Sequence, residues 1–129
     1  MSKGEHNDRP TVLVVEDEFI IALDLSETVQ DLGYTLEGPF DETRHALAAI
    51  EDQMPDVAIL DVFTADGEVY PVADALTEKG VPIIFHSGHV PPQEMRDRYP
   101  DAQACAKPCP PGQMIDMVQQ AVARIHVAN

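Results

Sequence analysis

The chain reads as an α/β domain built on one parallel sheet with helices on both faces. Two observations carry that reading. Five short apolar runs alternate strictly with five helix-patterned stretches, the order of a parallel sheet joined by crossover helices. The run Val57-Ala58-Ile59-Leu60 is apolar at every position, as a strand buried on both faces must be. It ends abruptly in Asp61, at the strand end where open α/β sheets bind ligands. Taken alone, Asp61 reads more simply as a strand terminator or helix cap. What the other strands carry at the same edge decides between the two.

Residues 1–10 are polar and read as a mobile tail ahead of a domain at 11–127. Residues 11–15 form the first strand, running straight into Glu16-Asp17-Glu18. Ile21, Leu25, Val29 and Leu32 repeat at helical spacing, and Gly33 is placed to stop that helix. A second strand over 34–38 is closed by Pro39, and Asp41 is expected to cap a helix reaching about Glu51, with Leu47 and Ile50 inward. Met54-Pro55 breaks it before the Val57 run. Residues 62–69, with Asp66-Gly67, read as a loop. Pro71 suits the first turn of a helix to about Lys79, ended by Gly80.

A fourth strand over 81–85 is followed by His86-Ser87-Gly88-His89. Pro91 and Pro92 open a short polar helix to Tyr99, and 102–106 make a small fifth strand ending in Lys107-Pro108. The last helix, from about Pro110 or Pro111 to His126, aligns Met114, Met117, Val118, Ala121, Val122 and Ile125 on one face.

Composition narrows the function. At 129 residues with 44% hydrophobic content the chain is one globular domain, and no apolar run approaches the roughly 18 residues of a membrane span. The 23 acidic residues against 8 basic ones, a net charge of −15, oppose binding to nucleic acid and to anionic membranes. With no apolar secretory core at the N-terminus, cytoplasmic is the expected location. Cys105 and Cys109 fit a reducing compartment without disulfides, and a single C-x3-C pair does not describe a zinc site.

The strand ends now speak together. Glu16 and Asp17 follow strand one, Asp61 strand three, Ser87 strand four and Lys107 strand five. A cap, a turn residue or a surface charge explains any one of them, but five on one edge are hard to sustain as coincidence. Crowded carboxylates repel unless a cation intervenes, and hard oxygen ligands suit Mg²⁺, which takes one or two carboxylates alongside a phosphate. Lys107 supplies further positive charge. The set describes a phosphate site.

These same residues, Val12-Leu13-Val14-Val15-Glu16-Asp17-Glu18, Ile59-Leu60-Asp61, Ser87-Gly88 and Lys107-Pro108, in that order, resemble the receiver domain of two-component response regulators over residues 11–127. The resemblance implies a flavodoxin-like three-layer (βα)5 sandwich with sheet order 2-1-3-4-5. It implies Asp61 as phosphoacceptor, with Asp17 and Asp61 ligating Mg²⁺ directly, Glu16 holding it through water and the Phe63 backbone carbonyl completing the set. It makes Ser87 the hydroxyl that senses the phosphoryl group, Lys107 the cation that grips it, and Lys107-Pro108 a cis peptide.

Asp61 would then attack phosphorus to form an acyl phosphate, with a phosphohistidine on a sensor kinase or phosphotransfer protein as donor. Beyond that self-catalysed transfer no enzymatic turnover is expected. The altered face, helix four and strand five, would signal to a downstream protein or relay phosphate, and it is where homodimerisation would be sought.

The chain departs from the common pattern at Ala104, where receivers usually carry Tyr or Phe. Val81 to Gly88, with a Phe-x-Ser-Gly signature, and Tyr70 to Leu76 resemble a subgroup, often single-domain, that lacks this aromatic. With only Val127-Ala128-Asn129 after the last helix, a stand-alone receiver is expected. Phe63 and His89 flank the site at positions that influence acyl-phosphate hydrolysis in the family, although His89 reads equally well as an exposed loop residue. His86 reads as structural, and His45 and His126 as surface residues.

Two other classes use similar parts. An aspartate-nucleophile phosphohydrolase needs a second Asp two residues after the first, where this chain has Phe63. A phosphorylation-independent pseudo-receiver, an interaction module, would have little reason to keep Glu16, Asp17, Asp61, Ser87 and Lys107 together.

Overall fold

Alternation of side chains along the strands divides the interior into two cores, one on each face of a single sheet. The computed structural model describes residues 9–128 and the side chains of 9–125. The elements are β1 (Thr11–Val15), α1 (Phe19–Asp31), β2 (Thr35–Phe40), α2 (Thr43–Asp52), β3 (Val57–Leu60), β4 (Phe63–Thr64), β5 (Gly67–Glu68), α3 (Tyr70–Glu78), β6 (Ile83–Ser87), α4 (Pro92–Arg98), β7 (Gln103–Ala106) and α5 (Pro111–Ala128). Five of the strands form a parallel sheet in the order β2-β1-β3-β6-β7. Counting those strands alone, this is the expected order 2-1-3-4-5, the flavodoxin-like arrangement.

Leu13, Val15, Ala58, Leu60, Ile83 and Phe85 point to the face covered by α2, α3 and α4, where they meet Ala46, Ile50, Val72, Leu76 and Met95. Their neighbours Val12, Val14, Val57, Ile59 and Ile84 point the other way, onto Leu25 and Val29 of α1 and Met114, Val118 and Ala121 of α5. Every residue of β1, β3 and β6 is buried, and each large apolar side chain so placed is worth about 1.5–3 kcal/mol. No described helix is long and apolar enough to cross a membrane.

At Gly33, φ is +89°, the left-handed turn that ends α1 as its position predicts. Gly38 has a steric reason as well: at φ +108°, a Cβ would stand 2.7 Å from the Val14 carbonyl oxygen. The Gly38-Pro39 and Lys107-Pro108 peptides are both cis, the second as expected.

Several expectations need correction. Residues 62–69 are not a plain loop: β4 and β5 pair as an antiparallel hairpin, with Thr64 opposite Gly67. Asp41 does not cap α2. Glu42 stands at the N-cap without a side-chain bond, and the carboxylate of Asp66 accepts the N–H groups of Thr43 (2.6 Å) and Arg44 (3.2 Å) from the hairpin turn. A helix N-terminus has free N–H groups and a positive dipole end, so a carboxylate distant in sequence serves as well as a neighbouring one. The cysteines are not free: Cys105 and Cys109 are joined by a disulfide. Of the expected tail, residues 1–8 lie outside the described residues, Arg9 donates to the Gly33 carbonyl and Pro10 accepts from the Thr35 N–H. The His126 side chain also lies outside the described residues, and His45 is exposed.

Candidate functional site

The strand ends gather at one edge because the parallel strands stop in register by pairs, β1 with β3 and, two residues further on, β6 with β7. Val14 and Val15 of β1 align with Ile59 and Leu60 of β3, and the Asp61 N–H still donates to the Val15 carbonyl at 2.9 Å. Leu60 aligns with Phe85, and Ser87 of β6 with Ala106 of β7. The Glu16 N–H donates to Phe40 O at 2.8 Å, and the Lys107 N–H to Ser87 O at 3.0 Å. The backbone of the sheet therefore fixes Glu16, Asp61, Ser87 and Lys107 before any side chain interacts.

Lys107 is the hub. Its Nζ donates to Glu16 Oε2 at 2.9 Å, to Asp61 Oδ2 at 2.9 Å and to Glu18 Oε1 at 2.6 Å. Asp61 is 4% exposed and Glu16 2%, whereas Glu18 faces solvent. Ligand oxygens of Glu16, Glu18 and Asp61 all lie within 4.8 Å of one another. Glu16 Oε1 and Asp61 Oδ1 are buried without a hydrogen-bond partner. Burial pushes the Glu16 carboxyl up to about 7, against the pull of the Lys107 hydrogen bond and reinforced by the Asp61 charge. Burial disfavours the Lys107 cation too, but its bonds to Glu18, Asp61 and Glu16 outweigh this and hold its pKa above the usual lysine value.

Two unpartnered buried carboxylate oxygens beside a third carboxylate fit a hard divalent cation such as Mg²⁺. Glu18, which was not among the candidate ligands, joins this cluster. Asp17 is exposed and lies outside it. A run of three acidic residues after a strand has no periodicity to show which one turns inward, so only the run itself was a signal.

Ser87 is buried, and its Oγ accepts the N–H groups of His89 (3.2 Å) and Val90 (3.4 Å). That leaves its O–H proton available. The Phe63 ring, 40% exposed, meets the His89 ring edge-on at 5.6 Å, so the two flanking residues touch each other. His86 is buried, with its Nδ1 at 3.9 Å from Glu16 Oε1 and neither ring nitrogen hydrogen-bonded. Burial and then the Lys107 charge lower its pKa, which favours the neutral ring.

Sequence reasoning missed Tyr99. Ala104 pairs with Phe85 across the sheet, and the Tyr99 ring packs against Phe85 at 5.2 Å between centroids. Its hydroxyl donates to Asp74 Oδ1 at 2.7 Å, and the Arg98 guanidinium lies 3.6 Å over the Tyr70 ring. An aromatic just beyond α4 thus packs beside the small residue on β7. Its position at the end of a polar helix gave no periodic signal.

No family model matches the chain. The phyllosphere-induced regulator PhyR of Methylorubrum extorquens is 31% identical over 114 residues, covering 86% of this chain and 43% of that protein. The chain spans about half the length of the curated relatives it matches. The solution structure of SdrG from Sphingomonas melonis Fr1 superposes with a TM-score of 0.74 at 31% identity, over 88% of this chain and 97% of that one. The response regulator REC domain of Erythrobacter litoralis PhyR superposes with a TM-score of 0.76 at 25% identity, over 88% and 90% of the two chains.

Proposed function

The chain belongs to the receiver domains of response regulators, and on that premise we propose that Asp61 accepts a phosphoryl group from a phosphohistidine donor in a Mg²⁺-dependent reaction. The observation that supports it most directly is the unequal use of the Asp61 oxygens. Oδ2 is held by Lys107, and Oδ1 is buried with no partner. A carboxylate anchored by one oxygen is held in a fixed orientation, with the other oxygen unspent for a metal ion, as a preorganised phosphoacceptor requires.

The Asp61 carboxylate attacks phosphorus in line, the phosphorus–nitrogen bond to the donor imidazole breaks, and an acyl phosphate forms on Asp61. Lys107 is positioned to turn a donor toward the developing phosphoryl charge, because its ammonium already spans Asp61, Glu16 and Glu18. Glu16 and Asp61, with Glu18 in the same cluster, would hold Mg²⁺, joined by the Phe63 carbonyl and, on turning in from solvent, by Asp17; such an ion would neutralise charge on the phosphoryl oxygens. Ser87 donates its free O–H proton to a phosphoryl oxygen. That draws on the residues bonded to its Oγ, His89 and Val90, which lead into α4.

The α4–β7 face then carries the signal to a downstream protein. The partners are signalling proteins: a histidine kinase or phosphotransfer protein upstream and a protein reading that face downstream. The chain's own chemistry is this self-catalysed transfer and the later hydrolysis. Intact mass after incubation with acetyl phosphate tests it. One phosphoryl adduct is expected, absent without Mg²⁺ and absent in Asp61→Asn. No adduct from acetyl phosphate or from a phosphohistidine donor would leave an interaction module that works without phosphate.

A further inference from the structure

Cys105 and Cys109 stand two residues before and two residues after Lys107, and the structure joins them. Beyond the Lys107 amide, the backbone of the segment between them makes few hydrogen bonds. Cys105 and Ala106 are locked into the sheet opposite His86 and Ser87, and the Lys107 N–H bonds to Ser87 O. From there to Pro110 no described backbone N–H donates to the fold, and Pro108 and Pro110 have none to give. The far side of the turn packs Cys109 against the core and leads into α5 through the Pro110 carbonyl, and the cross-link adds a covalent tie from it back to β7. It therefore bears on the residue whose ammonium contacts three carboxylates.

We propose that Cys105 and Cys109 are a dithiol–disulfide redox pair that sets the placement of Lys107 and so controls phosphoryl acceptance; the inference rests on the reading of Asp61 as phosphoacceptor. Cys105 is buried, while Cys109 is half-buried and lines a cavity of about 150 Å³ with Ile21, Leu25, His86, Pro108 and Met114. The accessible thiol reacts first. Cys109 gives up its proton to solvent and attacks one sulfur of a small disulfide oxidant of the glutathione class, releasing one thiolate and leaving a mixed disulfide. Cys105, deprotonated in turn, attacks the Cys109 sulfur and expels the second thiolate. Two protein thiols are oxidised to one disulfide, the oxidant is reduced to two thiols, and the two protons end on those thiols. A small dithiol reverses the reaction through the same accessible sulfur.

The test compares one chain in two states, so folding of a variant is not at issue. Wild type is poised with oxidised glutathione or with dithiothreitol, and intact mass with thiol alkylation counts the hydrogens lost. Acceptance from acetyl phosphate with Mg²⁺ is then timed, and amide exchange is followed at Lys107 and Cys109. The oxidised form is expected to accept on the order of tenfold faster, since a displaced positioning group costs at least that much. Exchange at the two amides should be slower than in the reduced form. Cys105→Ser/Cys109→Ser should follow the reduced rate in both buffers. Failure of the intramolecular disulfide to form, or equal rates and equal exchange in the two states, overturns the proposal. If neither state takes a phosphoryl group, the Asp61 reading falls while the disulfide and exchange readouts still decide whether the pair holds the Lys107 turn.

Discussion

Phe63 and His89 show how much one contact at the mouth of a site can decide. Phe63 follows Asp61 by two residues and His89 follows Ser87 by two, so each is carried by a strand end the chemistry uses. Their rings meet edge-on at 5.6 Å, with Phe63 at 40% exposure. An acyl phosphate decays when water reaches phosphorus, and two contacting rings carried by the residues that follow Asp61 and Ser87 are placed to limit that access. Phe63→Asn and His89→Ala are both expected to shorten the phosphoryl lifetime, by about threefold or more if water exclusion is the main control. Decay of the adduct followed by mass reads this directly, and unchanged rates in both variants would assign the pair to surface packing. Asp66 makes a second case at this scale. It caps α2 from the hairpin turn, and its hydrogen bonds from Thr43 and Arg44 tie two elements that neighbour each other only in space.

Between elements, the α3–α4 junction carries the feature that Ala104 leaves open. Tyr99 links α4 to α3 through its bond to Asp74 and packs on Phe85 of β6. Tyr99→Phe keeps the ring and removes that bond, so a loss of about 1 kcal/mol is expected in urea unfolding. If α4 moves when Ser87 is engaged, the variant should also show faster amide exchange in α4. The edge strand β2 provides a pH test. Burial, with Asp52 nearby, pushes the Glu37 carboxyl up to about 7 from an ordinary value of 4.5. A raised folded pKa means stability that is fully present below about 4.5 and lost as pH rises through 7. Glu37→Gln should therefore match the wild type in acid and exceed it above pH 7, by on the order of 1 kcal/mol after screening. A constant difference across that range would remove Glu37 as the cause.

These elements also mark what was legible beforehand. The parallel order and the strand-end carboxylates could be read because apolar runs, glycines and prolines act locally and the chemistry follows the runs. The Asp66 cap, the Tyr99–Asp74 bond, the Cys105–Cys109 link and the bond of Glu18 to Lys107 could not be read so. Each is settled by loop geometry or by partners brought together only in the fold.

At the scale of the whole molecule, charge is the dominant fact: 23 acidic against 8 basic residues, net −15. Self-repulsion of that size opposes the compact state everywhere, and monovalent salt relieves it everywhere, since the screening length is only about 10 Å at 0.1 M. The cluster at the sheet edge is different in kind. There Glu16, Glu18 and Asp61 converge on one ammonium, and two buried carboxylate oxygens have no partner. A divalent cation that binds the folded chain stabilises it by mass action, about 1.4 kcal/mol at ten times its Kd, on top of any general screening. Melting curves in sodium chloride and in magnesium chloride at matched ionic strength separate the two effects. Sodium should raise Tm by the same amount in wild type and in Asp61→Asn, because that substitution barely changes the global field. Magnesium should add a further increment in wild type that Asp61→Asn loses. Should the magnesium increment equal the sodium one, or survive in Asp61→Asn, the acidic edge would be only part of a generally repulsive surface, and the Mg²⁺-dependent chemistry assigned to it would lose its physical basis.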